Sequence, residues 1–570
     1  MKPFLSFLLL TAVAACSGYE PVLLPLPKVS HFTGRWVEAS EPVITIVDSI
    51  PGTGRSKEAY CLEIGREAIE IEAVSQDGVW NARQTLAQLL QDGKYPVGKI
   101  KDWPAFPIRG WMMDCGRTYV SMEELRREID NLSSFKINTF HWHLTDNEAY
   151  RLQSLCHPEI NGNMTRQPGL FYTQEEAREL VVYCRERGIT LIPEIDVPGH
   201  SAYFDRIYGF GMQTPEGKGI MKELLEEACD VFEGCPWFHI GTDEVRFEDP
   251  SFVPEMVALL RSRGKKVISW NPGWHFEPGE IDMTQLWSYR GKAQEGIPAI
   301  DCRLHYINHF DLYGDIVGLH TSSLCGEGSI IAVWNDRFIT PEEQIPLQNN
   351  LYASALALAD RAWRGGGYQY FDSFGVCLPE SGPAYDDFSS FETRMCTLAG
   401  DLVYPYRPQS GVRWQISEPF PNEGDLSKAF APETGGYDWS RAGTAVGSGI
   451  YLRHVWGPSI VKGYFEDPQP WSTVYARRII KTDMERDAIL WFETQNHSRS
   501  EHDLPAPEGE WDYRKSRIWL NGEAVSVSPL RVHLHKGDNE ILVKLPVGEF
   551  STPETRLVKW MFTCSIDLFP

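Results

Sequence analysis

The chain is short of positive charge. Its 54 lysines and arginines are outnumbered by 78 aspartates and glutamates, for a formal net charge of −24. That balance repels phosphate backbones and anionic lipid surfaces, so nucleic acid is excluded as a natural partner. Cysteine is sparse, 12 in 570 residues. It shows neither Cys-x-x-Cys pairs nor the Cys/His spacing of a zinc module, so no disulfide framework and no metal or other cofactor is expected. Low-complexity tracts and short internal repeats are missing too. With 42% hydrophobic and 23% charged residues, that leaves a folded globular chain, too long for one ordinary core.

The apolar run from Phe4 to Ala15 is too short to cross a bilayer as a permanent helix. It follows Met1-Lys2-Pro3 and ends in Val13-Ala14-Ala15-Cys16, the pattern of a bacterial lipoprotein signal. Cys16 is therefore expected to be lipidated and to open the mature protein. The expectation is an exported protein held on a bacterial membrane, the outer one by preference, on its periplasmic or cell-surface side, touching lipid only through the anchor. An ordinary cleaved secretory peptide with an incidental cysteine would still mean export. The other eleven cysteines, an odd number, read mostly as buried thiols. The 19 tryptophans and 23 tyrosines offer flat faces that stack on sugar rings, although composition does not separate that use from core packing.

Organisation changes along the chain. Tyr60 to Ile64 and Ile69 to Ala73 alternate with period two, and Trp80 to Leu90 carries apolar residues at helical spacing, so residues 17–104 read as a small α+β domain. Asp102-Trp103-Pro104 is the linker. Over residues 105–410 a unit recurs: a capped amphipathic helix ends at Gly, and a short apolar strand follows that finishes in polar residues. Ser121-x-x-Glu124 and Thr173-x-x-Glu176 are capping boxes. Strands are expected at Ile137 to His141, Ile189 to Pro193, Phe238 to Gly241 and Val267 to Trp270. This rhythm predicts a (β/α)8 TIM barrel with its active site at the carboxyl ends of the strands. From residue 411 to 570 helical periodicity fades; segments such as Ala488 to Phe492 and Glu540 to Leu545, with the turn at Lys536-Gly537-Asp538-Asn539, predict a β-sandwich. The whole is a multidomain α/β chain.

The chemistry concentrates in Phe238-His239-Ile240-Gly241-Thr242-Asp243-Glu244-Val245, where two carboxylates directly follow an apolar strand. Consecutive strand residues face opposite ways, so both acids address one pocket only if the backbone turns, which Gly241 permits. Alone, such a pair is more often a solvated loop. Four blocks in order change that weighting: Ile108-Arg109-Gly110-Trp111-Met112-Met113-Asp114-Cys115-Gly116-Arg117, Phe140-His141-Trp142-His143-Leu144-Thr145-Asp146, Ile192-Pro193-Glu194-Ile195-Asp196-Val197-Pro198-Gly199-His200, and the Asp-Glu block. With them the chain resembles the family 20 glycoside hydrolases, the β-N-acetylhexosaminidases. Its leading module, with Gly78 to Leu90, is similar to the noncatalytic domain that precedes many barrels of that family.

The resemblance implies an exo-acting, retaining enzyme that removes terminal β-linked N-acetylglucosamine or N-acetylgalactosamine from glycans by substrate assistance, outside the two-carboxylate scheme. Glu244 would protonate the glycosidic oxygen, and Asp243 would orient the substrate's acetamido group for attack on C1. A charged Asp243 is expected to raise the pKa of Glu244. Asp146 and His200 match residues in a hydrogen-bonded chain to the acid; Asp196 and His143 would support the pair. Arg109 would donate to the sugar hydroxyls. Trp270, Trp287 and Trp334 would wall the acetamido methyl, and Tyr306 would bond its oxygen.

The pattern departs at Tyr306-Ile307-Asn308-His309, where a carboxylate is usual in place of Asn308, and at Trp334-Asn335-Asp336, where Asp336 has shorter reach for a sugar hydroxyl. A neutral Asn308 makes that part of the pocket less hostile to an anion and suggests tolerance of 6-O-sulfated N-acetylglucosamine. Thr118 also departs from the family pattern. The competing readings are a glycan-binding lipoprotein without turnover, a member that releases a disaccharide, and an unrelated two-carboxylate hydrolase.

Overall fold

The computed structural model describes residues 19–568 except 289, 304–305, 308–314, 369–376, 405, 457–458, 462, 495–514 and 551–559. Cys16, Asn308 and His309 therefore lie outside the described residues. The chain divides into two compact units at Trp103/Pro104, with Leu24–Leu26 counted in the second.

The first unit is a five-stranded sheet in the spatial order Val29–Glu38, Lys94–Asp102, Tyr60–Ile64, Ile69–Ala73, Val43–Ile46, with the last pair parallel. Ile69–Ala73 alternates strictly between buried and exposed residues, the burial signature of a sheet with one covered face. The cover is the helix Gln76–Leu89, capped by Ser75, whose side chain accepts from the Asp77 N–H. It comes close because Gly78 has no side chain: a Cβ there would stand 2.7 Å from the Ala59 carbonyl oxygen.

The second unit opens with eight parallel strands: Ile108–Asp114, Thr139–His143, Thr190–Glu194, Trp237–His239, Lys266–Asn271, Met283–Leu286, Ala299–Asp301 and Gly328–Val333, numbered 1 to 8 below. Each pairs with its successor through strand 7, and strand 8 returns to pair with strand 1. The seam between strands 7 and 8 is held by the Glu327 N–H to the Ala299 carbonyl at 2.8 Å and by a parallel bridge from Tyr306 to Ala332. Both faces of these strands are covered, which is why strands 2 and 8 are buried throughout. Inward residues such as Met112, Ile192, Ile268, Ile300 and Ile330 fill the barrel. Outward ones such as Trp111, Phe140, Leu191 and Phe238 pack with the surrounding helices.

Helix starts follow the capping chemistry, with one exchange of partner. Thr173 forms the full reciprocal box with Glu176 at the head of Gln174–Glu186. At Met122–Ser133, Ser121 accepts from the Glu124 N–H, but Glu342, from far along the chain, takes the Ser121 N–H at 2.7 Å.

The C-terminal part is two antiparallel sheets face to face. One contains Arg413–Ile416, Ser472–Thr482, Gly537–Val547 and Arg517–Leu520; the other contains Gly449–Trp456, Trp560–Leu568, Arg486–Glu493 and the edge strand Leu530–Leu534. Trp414, Val474 and Val543 from the first meet Leu452, Leu490 and Phe562 from the second in one apolar core. No helix among the described residues is long and apolar enough to cross a membrane.

Candidate active site

The polar residues gather where the barrel strands end. Strand 4 ends at His239, and the chain then passes through three positive φ angles, Gly241 at 64°, Thr242 at 86° and Glu244 at 49°. Such angles are costly for a β-branched residue and are held only where surroundings over-determine them. Here they do. The Thr242 N–H donates to Asp196 Oδ1 at 3.1 Å, its hydroxyl lies 2.7 Å from Ser269 Oγ, and the Gly241 carbonyl accepts from the Trp270 N–H at 2.9 Å. A Cβ on Gly241 would fall 1.7 Å from Asp196 Oδ1, so no other residue fits. This kink brings both acids to one imidazole: His200 Nε2 is 3.6 Å from Glu244 Oε2 and 3.9 Å from Asp243 Oδ2.

Behind His200 runs a buried chain of alternating charge. His200 Nδ1 lies 3.2 Å from Asp146 Oδ1, Asp146 Oδ2 lies 3.2 Å from His143 Nε2, and His143 Nδ1 lies 2.5 Å from Glu194 Oε2. Glu194 is a hub. It also meets His141 Nε2 at 2.8 Å and His239 Nδ1 at 3.0 Å, and accepts from the Trp270 indole N–H at 2.7 Å. Burial alone would protonate Glu194, but the three histidines outweigh it and hold the carboxyl well below its usual range.

The two acids are poised oppositely to the sequence expectation. Asp243 is the buried partner: desolvation, opposed by His200 and reinforced by Glu194 and Glu244, pushes it up to about 6. Glu244 is 57% exposed, and the cationic His200, 3.6 Å away, lowers its pKa. Adjacency to Asp243 therefore does not raise Glu244, because the cationic His200 and Arg117 outweigh partial burial and the nearby negative charge. His200 itself loses charge preference to burial, yet Asp146, Glu244 and Asp196 push it up to about 12. Burial and then Asp243 raise Asp196 well above the carboxylate range.

Arg109 is the residue that the structure removes from the site. It is the second residue of strand 1, about 16 Å of extended chain from the carboxyl end of that strand. It is fully buried there, bonding the Lys136 and Phe106 carbonyls at 2.9 Å each and lying 5.0 Å over the Trp363 ring. The arginine in the pocket is Arg117. Its guanidinium reaches Asp114 at 2.9 Å and Asp146 at 3.0 Å, approaches Asp336 at 3.8 Å and lies 5.2 Å over Trp334. Strand direction was the missed signal: in a parallel barrel the residue past the strand faces the site, not the one at its start.

The aromatic residues come together. Trp334 stands 5.9 Å from Trp270 and 5.7 Å from Tyr306, centroid to centroid, with His143 edge-on at 4.9 Å. Trp287 joins their cluster at its rim and donates its indole N–H to the Pro272 carbonyl at 2.6 Å. Asp336 is partly buried beside Arg117, and burial, with Asp114 and Asp146 adding to it, raises its pKa. Thr118 gains an account: its hydroxyl accepts from Arg166 at 3.1 Å, and Arg166 also holds the Asn335 and Asp336 carbonyls, fixing the loop after strand 8. Three groups here carry metal-ligating atoms, Asp114/His143/Asp146, Asp196/His200/Asp243 and His141/Glu194/His239. Arg117 already neutralises the first, and Trp270 and the histidines already bond the carboxylate of the third.

The model described as glycosyl hydrolase family 20, catalytic domain, matches residues 106–216, and that for domain 2 of the same family matches residues 29–103. The first match covers Arg117, His143, Asp146, Asp196 and His200 and stops before Asp243 and Glu244. A beta-hexosaminidase of Vibrio furnissii is 38% identical over 298 residues, which are 40% of this chain and 48% of that one. One from Porphyromonas gingivalis is 30% identical over 299 residues, 41% and 38% of the two chains. The match thus spans about half, or less, of these relatives' length. The crystal structure of a beta-N-acetylhexosaminidase from Bacteroides fragilis superposes with a TM-score of 0.56 at 21% identity, over 68% of this chain and 97% of that one. A Vibrio harveyi exo beta-N-acetylglucosaminidase does so at 0.51 and 21%, over 70% and 80%. At these identities the likeness concerns the fold.

Proposed function

Starting from the membership of this chain in glycoside hydrolase family 20, we propose that it is an exo-acting, retaining β-N-acetylhexosaminidase that uses the substrate's own acetamido group as nucleophile. The observation that carries the reading is the convergence of Asp243 and Glu244 on His200 at one pocket mouth. Glu244 gives its proton to the glycosidic oxygen as the C1–O bond breaks. Asp243 accepts the acetamido N–H, so that the carbonyl oxygen closes on C1 to form an oxazolinium, which Glu244 then opens by activating water. Trp270, Trp334, Tyr306 and Trp287 enclose the acetamido methyl and keep water off that intermediate. Arg117 takes the place at the sugar hydroxyls that Arg109 was expected to hold.

The lowered pKa of Glu244 goes with a side chain that is exposed to water beside His200. A sugar seated over its half-exposed carboxyl removes water and raises its pKa, while Asp243, already dry, gains a hydrogen bond that favours its charge. The pair then titrates as a unit in the required order.

The test is hydrolysis of aryl β-N-acetylglucosaminide and β-N-acetylgalactosaminide beside the 2-hydroxy analogue, with wild type and Glu244→Gln. Cleavage of both N-acetyl sugars, a loss of about 10²–10⁴-fold in the variant and near-inertness of the 2-hydroxy sugar are expected. Equal rates on the 2-hydroxy sugar would refute substrate assistance, and no turnover at all would favour a glycan-binding protein. Two further parts of the proposal rest on sequence. Asn308 admits a 6-O-sulfate, checked by the 6-sulfated glycoside before and after Asn308→Asp, where an unchanged preference removes the idea. Cys16 carries a lipid anchor, checked by membrane fractionation of Cys16→Ala, which is expected in the soluble fraction.

A further inference from the structure

The sandwich carries two histidines and two carboxylates on one patch of its edge. In the antiparallel ladder between Arg486–Glu493 and the edge strand Leu530–Leu534, Asp487 stands opposite His533 and Arg486 opposite Leu534. Continuing that register places Glu485 opposite His535. Side chains two apart on a strand share a face, so Glu485, Asp487, His533 and His535 form a rectangle on one side of the ladder. The atoms agree. His533 Nδ1 lies 3.0 Å from Asp487 Oδ1, and its Nε2 lies 3.8 Å from Glu485 Oε2. Ligating atoms of Glu485, His533 and His535 all fall within 4.8 Å of one another.

We propose that His533, His535 and Glu485 form a transition-metal site, of the zinc type, that clips the edge strand to its neighbour. Imidazole nitrogens with one carboxylate oxygen suit zinc, nickel or copper and not the oxygen-seeking magnesium or calcium. Zinc bonds of about 2.0–2.1 Å put tetrahedral ligands about 3.4 Å apart, so the three side chains need to close by little more than 1 Å. They are free to do so: His533 is 50% exposed and Glu485 69%. His533 comes already oriented. Its Nδ1–H donates to Asp487, which leaves Nε2 with its lone pair toward Glu485, the carboxylate–histidine–metal arrangement that fixes a ligand's tautomer. Asp487 is itself held in place by Arg531 at 3.2 Å. His535 is anchored through its backbone, whose N–H donates to Asn539 Oδ1 at 2.9 Å and whose carbonyl accepts from Asn539 at 2.7 Å.

A plain ion-pair patch is the competing account, and it predicts no selectivity among divalent ions. The two separate in a titration of the untagged full chain with zinc chloride, and with magnesium chloride as control, by calorimetry or equilibrium dialysis. One zinc per chain and no magnesium is the expected result. Asp487→Asn should weaken zinc about 10–100-fold without removing a ligand, and His533→Gln and His535→Gln should weaken it at least as much. Glycoside hydrolysis should be unchanged in all three, so the test stands or falls apart from the catalytic reading. Absence of zinc binding by the wild type, or zinc affinity unchanged in His533→Gln and His535→Gln, overturns the proposal; the latter outcome would move the metal to the barrel's histidines.

Discussion

Asp243→Asn separates what the charge does for the reaction from what it costs the fold. The side chain is only 9% exposed, and its Oδ1 has no hydrogen-bond partner among the described residues. Burial first, then Glu194 and Glu244, lift its pKa from 3.8 to about 6 against the pull of His200. Because the folded value exceeds the unfolded one, the native chain keeps a proton that the unfolded chain has released across that window. Stability therefore falls as pH rises from about 4 to about 6, and the whole loss is present above it. A lift of that size corresponds to about 3 kcal/mol. Asparagine cannot ionise, so the variant shows no such loss. Its stability relative to wild type should improve by about 3 kcal/mol between about pH 4 and about pH 8, a change that Asp196 shares in part because it is raised by the same charge. Activity moves the other way. The oriented, ionised carboxylate is worth about 10²–10³-fold in kcat, and the acid limb that its titration in the sugar complex gives to the kcat profile should vanish with it. Denaturant unfolding and pH–rate profiles of both proteins provide the comparison. If the two unfolding free energies stay parallel across the pH range, or the variant keeps the acid limb of the kcat profile, the account of this buried carboxyl is wrong.

The two arginines offer a clean contrast. Arg117→Gln should raise KM, since its fork meets the pocket, whereas Arg109→Gln should leave KM alone and cost about 1–3 kcal/mol by abandoning buried carbonyls; steady-state kinetics beside thermal melts decide. In Gly241→Ala the new methyl collides with Asp196 at a positive φ, so hydrolysis should fall by at least about 10²-fold, with a soluble, folded chain confirmed by circular dichroism. His200→Gln removes the contact that most lowers Glu244. The acid then keeps its proton to higher pH, so the alkaline limb of the rate profile should move upward while the maximal rate drops.

Much of this protein was legible residue by residue. Alternation at Ile69–Ala73, the capping box at Thr173 and the four ordered blocks are local patterns, and local patterns are set by neighbours in sequence. They identified a sheet domain, a parallel barrel and a catalytic-looking Asp-Glu pair. Of the eight barrel strands, only 2 to 5 were picked out as strands; 1 and 8 were not, and the runs of four and three residues in 6 and 7 carry almost no periodicity. Other features depended on what lies across space. Arg109 and Arg117 sit eight residues apart in one block, yet barrel closure sends one to the floor under Trp363 and the other to the mouth beside Asp146. Glu194 read as an unremarked acid inside a block, until three strands delivered His141, His143 and His239 to it. The poise of Asp243 and Glu244 followed the same rule. The sequence made them neighbours; burial of one, exposure of the other and a histidine from the preceding strand's loop decided which holds its charge, because desolvation and Coulomb terms depend on distance through the fold and not along the chain.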